Sequence, residues 1–453
     1  MLPMLDLAHQ LALRGLILTI LVTPKNLPNL SPLLAAHPSS IQTLVLPFPH
    51  HPSLPSGVEN VRDVGNLGNL AITNALGQLY GPIVHWFEAH SSPPIAILSD
   101  YFLGWTHHLA HQLGVPRIAF FSSGAFFTCV LNHLWDNIET VRSLGVVDFT
   151  DLPKSPVFLV EHLTSWCRQY RESDPDWGFF RDGFIANKSS WGWVFNTFDG
   201  LENEYLDHLR NVMGHVHAWP VGPLNLLGGE KTLGRVNPDV NLSEGVMEWL
   251  DGCPDGSVLY VCFGSQKLLK SDQMKALASG LERSRVRFIW VVKLRVIQNG
   301  EYRYGFVPDG FEDRVSGRGL VIQEWAPQVS ILRHQAVGGF LSHCGWNSVL
   351  EGVTAGVMML AWPMEGDQFV NARLLVEVLG AAVKVCEGGD AVPDSNELAN
   401  TIVNSMSRYI PQRIRVEEFR VTALKAVEIG GSSSRDLDGL VTELAKFQVK
   451  HSE

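Results

Sequence analysis

Positive charge is scarce in this 453-residue chain: 35 lysines and arginines stand against 46 aspartates and glutamates, a formal net charge of −11. That balance argues against binding nucleic acid through the overall field, so any anionic ligand must be met by local donors. Long apolar runs are lacking too. The longest near the start, Leu16 to Val22, is strand-sized and far short of the roughly 18 residues of a membrane span. The opening residues carry Asp6 and His9 with no basic n-region and do not read as a signal peptide. The six cysteines stand far apart with no CxxC pair, which argues against a disulfide framework or zinc site and for reduced thiols in the cytoplasm. Familiar nucleotide and hydrolase signatures are missing: no G-x-G-x-x-G, no Gly-Lys pair of a P-loop, no G-x-S-x-G elbow. His107 and His111 share a helix face, but His108 fills the slot where a metalloprotease helix needs Glu, and no third ligand is evident. No metal is expected.

What is present is alternation. Residues 2–13 repeat apolar positions as a helix does, and Gly15 follows as its cap. Strand-like runs stand at 16–22, 41–46, 95–98 and 117–121, with helical stretches at 65–89 and up to about 113. A polar, Gly-rich segment at 226–245 reads as a linker. A second alternation follows: strands at 258–263, 288–292, 321–322, 339–341 and 358–361, a helix at 271–284, and a last helix near 437–449. The pattern predicts an α/β protein with parallel sheets covered on both faces. Its domains are expected at 1–225 and 246–453, the last helix packing back onto the first.

One stretch is far more specific. Residues 325–368 read WAPQVSILRHQAVGGFLSHCGWNSVLEGVTAGVMMLAWPMEGDQ. This box resembles the signature of plant secondary-product glycosyltransferases, inverting enzymes that use UDP-sugars. The likeness extends to DYFLGWTHHLAHQLGVPRIAFFSSGAF at 100–126, WVFNTFDGLE at 193–202, VGPL at 221–224 and VLYVCFGSQ at 258–266. It is nearest to the branch acting on flavonols and small phenolics. The resemblance implies the GT-B architecture, two facing Rossmann-like domains, with the donor bound by the second half and the acceptor by the first. Phe102, Phe121, Trp135 and Phe369 are candidates for the acceptor pocket. The box departs from the family pattern at Met358, where Pro is usual, and at Gly366, where Ala is usual.

The chemistry of the box suits a UDP-sugar. Trp325 can stack on uracil, while Gln328 and the backbone of Ala326 can pair with the base edge. His343 follows a strand, where α/β sheets place ligands. Trp346, Asn347 and Ser348 open a helix whose N–H groups and dipole favour phosphate. Glu351 lies one turn beyond Asn347 and can accept from the ribose hydroxyls. Asp367 and Gln368 can bind sugar hydroxyls, and Gln368 in the last position of the box accompanies glucose in the family. Ser265 can reach the pyrophosphate.

Sugar transfer also needs a base for the acceptor hydroxyl. The family uses a His held by an Asp. Asp100 matches that Asp; its alternative role is to cap the following helix. The family's His, and the strand leading to it, would stand just before Met1, so the sheet is expected to lack its first strand. His9, well along the helix, reads as a face residue. Three readings follow: a UDP-glucose-dependent O-glycosyltransferase acting on a small phenolic, as a cytoplasmic monomer; a UDP-sugar-binding protein impaired in transfer; and, more distantly, an NAD-dependent oxidoreductase, which the missing glycine fingerprint disfavours.

Overall fold

The protein's structure, a computed structural model, describes residues 2–213, 217–227, 240–264, 267–293, 295–296, 302–407 and 409–450. They group into two units. The first comprises Met1–Val160, Trp166–Gly234 and Lys425–Glu453; the second comprises Glu161–Ser165 and Arg235–Leu424. The expected second domain is thus corrected at its far end, because the helix Ser432–Lys450 buries Leu437, Leu440 and Leu444 in the core of the first unit. The short segment 161–165 joins the second unit, where the His162 ring stacks on Phe369 with centroids 4.4 Å apart. The expected linker is also corrected. Residues 228–239 lie outside the described residues, and a helix, Val240–Asp251, begins before position 245. Its buried anchors, Val246 and Leu250, come too late to show a period earlier.

The first unit opens with the helix Leu2–Leu13, stopped by Gly15 at φ +85°. Its strands are β1 (Leu18–Val22), β2 (Ile41–Val45), β3 (Ile97–Asp100), β4 (Arg117–Phe121), β5 (Val146–Asp148), β6 (Val157–Leu159), β7 (Gly192–Phe195) and β8 (Ala218–Pro220). The parallel sheet is in two pieces. Among the described residues β1 pairs only with β2, and the other piece runs β3-β4-β7-β8. Both pieces border the first helix. Leu7 and Leu11 pack with Ile118, Phe120 and Val194 of the larger piece, while Leu5 and Ala12 pack with Val22 and Ile41 of the smaller. β5 and β6 form an antiparallel hairpin that the sequence reading missed. The long helix expected at 65–89 is divided into Asn69–Gly77 and Tyr80–Ala89. Pro82 explains the break, since its ring would clash with the carbonyl of residue 78 in a continuous helix.

The second unit contains β9 (Val258–Cys262), β10 (Arg287–Val292), β11 (Arg295–Val296), β12 (Tyr302–Tyr304), β13 (Gly319–Gln323), β14 (Val337–Ser342), β15 (Met358–Ala361) and β16 (Ala382–Lys384). Six of these form one sheet in the order β13-β10-β9-β14-β15-β16, with every pair parallel. The four inner strands, β10, β9, β14 and β15, are buried at every residue but Arg287, as strands covered on both faces are. The chain moves outward from β9 through β10 to β13, then crosses back to β14 on the other side of β9. The crevice at the carboxyl ends of β9 and β14 is therefore the switch point at which such sheets hold ligands.

Candidate active site

The two turns leaving β9 and β14 meet. Gly264, at φ +74°, follows β9, and a Cβ built there would lie 2.6 Å from the His343 ring; one at Gly345 would lie 2.7 Å from it. Two glycines thus make the slot in which His343 sits. Cys344 takes the left-handed conformation at φ 63°, turning the chain into the helix Trp346–Ala355. Glu324 does the same at φ 66° just before Trp325. Non-glycine residues in this region mark backbone held against its preference, a feature that gathers at functional sites. Burial and the positive field of Lys267 lower the His343 pKa to about 4, so the imidazole is neutral near pH 7 and offers a hydrogen bond rather than a charge. Ser265 lies outside the described residues.

The expected ligands are joined to one another. Gln328 donates from Nε2 to Glu351 Oε2 at 2.7 Å and sits 3.4 Å from Ser348 Oγ, while Tyr260 donates to Gln328 Oε1 at 3.3 Å. Gln328 therefore braces Glu351 rather than standing free for the base edge. Trp325 is 39% exposed, whereas Trp346 is buried. The Ala326 carbonyl is taken by the Gln328 N–H at 2.8 Å, which closes a tight turn. Asp367 accepts from the Trp346 N–H and from Asn371 Nδ2. Of the helix start, the Trp346 N–H is thus already engaged. Burial raises the Asp367 pKa to about 6. Gln368 Oε1 accepts from the N–H groups of Met364 and Glu365 at 3.0 and 3.1 Å. The Gln368 oxygen is thereby occupied, which leaves its NH₂ as the open end of the amide.

Two residues that sequence reading missed hold this loop. Asn371 bridges Asp367 Oδ2 and the Cys344 carbonyl at 2.8 and 3.0 Å. Its position one helical turn after Asp367 was the available signal. Tyr260 supports Gln328 from β9, and nothing local marks it.

In the first unit, Asp100 ends β3. Its Oδ1 caps the turn Tyr101–Leu103 by accepting from the Phe102 N–H at 3.0 Å, and its Oδ2 accepts from Ser122 Oγ at 3.4 Å. The capping role is real and leaves Oδ2 less occupied. Burial raises the Asp100 pKa. Behind it the buried Arg117 donates to Ser99, Asn187 and Ser190. Among the described residues no histidine nitrogen is bonded to Asp100. His9 lies 2.7 Å from His37 Nε2. Phe102, Phe121 and Trp135 belong to an aromatic cluster with Trp166, Phe180 and Phe184. Phe369 belongs to the second unit. Among the described residues no three His, Cys, Asp or Glu side chains gather to hold a metal ion, and no helix is long and apolar enough to cross a membrane.

Known proteins share much of this sequence and fold. The family described as UDP-glucoronosyl and UDP-glucosyl transferase matches residues 215–407. UDP-glycosyltransferase 89A2 of Arabidopsis thaliana is 52% identical, over 98% of this chain and 93% of its own length. The flavonol 3-O-glucosyltransferase UGT89B1 of the same plant is 49% identical, over 99% and 94%. The crystal structure of Arabidopsis thaliana UGT89C1 complexed with UDP-L-rhamnose superposes with a TM-score of 0.80 at 38% identity, covering 98% of this chain and 95% of that one. The fold is thus GT-B, and the chain belongs to the plant UDP-glycosyltransferases, enzymes of the UDP-glucoronosyl and UDP-glucosyl transferase family.

Proposed function

We propose that the chain transfers glucose from UDP-glucose to a hydroxyl of a flavonol or similar small phenolic, with inversion at the anomeric carbon. The observation that carries the donor half is the meeting of His343, the helix start at Trp346 and the braced Gln328–Glu351 pair at the switch point of the second sheet. In this reading Trp325 stacks on uracil and Glu351 accepts from the ribose hydroxyls. His343, Asn347 and Ser348 face the diphosphate, with Ser265 beside them. Asp367 accepts from the sugar hydroxyls, and the Gln368 amide donates to them. No metal takes part.

Glucose is favoured by Gln368, whose NH₂ is pointed by two backbone hydrogen bonds to its oxygen, and by the similarity to a protein named as a flavonol 3-O-glucosyltransferase. The aromatic cluster around Phe102 supports a flat, apolar acceptor. Asp100 would orient and stabilise a histidine base; His9, engaged by His37, does not fill that role. Competition among UDP-glucose, UDP-galactose, UDP-xylose and UDP-rhamnose, with a flavonol panel as acceptors, tests the reading. A clear preference for any of the last three overturns the sugar assignment.

A further inference from the structure

We propose that Lys267 is a donor-binding residue whose ammonium, beside the 364–368 loop and near His343, neutralises the diphosphate of the UDP-sugar. This deepens the donor-site reading above and rests on it.

The position follows from three observations. Lys267 lies three residues beyond Gly264, the glycine that makes room for His343. A Cβ built on Gly389 would lie 3.2 Å from Lys267 Nζ and 2.9 Å from the Met364 carbonyl oxygen, which brings the ammonium within about 6 Å of that carbonyl. Met364 is held by Gln368, so the ammonium borders the loop expected to hold the sugar. Its positive field also reaches the His343 ring.

The charge is also unspent. Asp390, the carboxylate that feels Lys267, is bonded by Lys270 at 2.6 Å. Lys267 itself makes no ion pair or hydrogen bond among the described residues. A diphosphate needs such a charge here. His343 is neutral, the Trp346 N–H is taken by Asp367, and a helix dipole supplies only about half a charge. The chain as a whole is negative by 11. A lysine on a flexible stem serves as a point charge for phosphate. When the bond from the anomeric carbon to the β-phosphate oxygen breaks, negative charge grows on the departing UDP, and a fixed cation beside it stabilises that charge.

Calorimetry on the whole chain, with UDP and with uridine, tests the assignment in the parent, Lys267→Gln and Lys267→Arg. The parent is expected to bind UDP more tightly than uridine. Lys267→Gln should weaken UDP by about tenfold, the scale of a hydrogen bond to a charged group, and leave uridine unchanged. Its UDP affinity should also respond less to added salt. Lys267→Arg, which keeps the charge, should retain most of the affinity. Unchanged UDP binding by Lys267→Gln overturns the proposal while leaving the donor site standing. Equal losses of UDP and uridine make the residue structural and overturn it as well. A parent that binds no UDP removes the donor-site reading itself.

Discussion

Trp325 is the large aromatic of the donor box that stays open, at 39% exposure, while Trp346 and Trp362 are buried. An open indole following a left-handed residue has a face to offer. Trp325→Ala should lose about 1–3 kcal/mol of UDP binding, on the scale of base–aromatic stacking; unchanged affinity by calorimetry would remove uracil from this position. Asp367 makes a different kind of prediction. Its pKa is raised from 3.8 to about 6 by burial, so the folded state holds the proton more tightly than the unfolded chain does. Stability therefore falls as pH rises from about 4 through 6, and the penalty is fully present above. Asp367→Asn should raise the Tm at pH 8, with the gain shrinking as pH falls through 6. A gain that does not change with pH contradicts the assignment. Residues in the box could be singled out from spacing because strand ends and helix starts carry them. Lys267 and Tyr260 could not, since their place depends on how separate elements return to the same crevice, and Asn371 was marked only by standing one turn after Asp367.

The divided sheet of the first unit is the element with the clearest physical demand. Among the described residues β1 and β3 each carry one unpaired edge, and Leu18 and Leu98 pack against the same cluster without a shared ladder. Open edges next to apolar surface favour association with other strands. A chain extended ahead of Met1 by a strand of about five residues and a Gly-His pair should pair with both edges and place an imidazole near Asp100. It is expected to melt at a higher temperature and transfer sugar about 10²–10⁴-fold faster, the usual contribution of a general base. Equal rates in the two chains would mean that Asp100 does not act through that histidine. Elements with long apolar runs were legible in the sequence. Met358–Ala361 and Arg117–Phe121 stand where the runs do, and the helix Leu2–Leu13 matches its period. The hairpin of β5 and β6 was not, because its three-residue strands expose every second side chain and look like loop. The helix at 240–251 was obscured by Gly245 among polar neighbours.

Across the whole molecule, the helix Ser432–Lys450 ties the end of the chain to its beginning. Leu437, Leu440 and Leu444 share a core with Leu7 and Leu11, and Arg14 Nε donates to Asp438 at 2.7 Å. Fully burying a leucine is worth about 1.5–3 kcal/mol. A chain cut before Ser432 should therefore lose roughly 5–9 kcal/mol from the first unit by that scale, while the second, apart from this core, should still bind UDP. Two-step thermal unfolding with retained UDP affinity would show this; loss of UDP binding on truncation would contradict it. The same tie governs birth at the ribosome. Residues 235–424 are complete, as a nearly continuous unit, before the last leucines of the first unit have been made. Chains often fold from the amino end as they emerge. Here the first half must wait, with its apolar cluster short of three leucines, until translation has all but finished. The half made second can be the half that folds first.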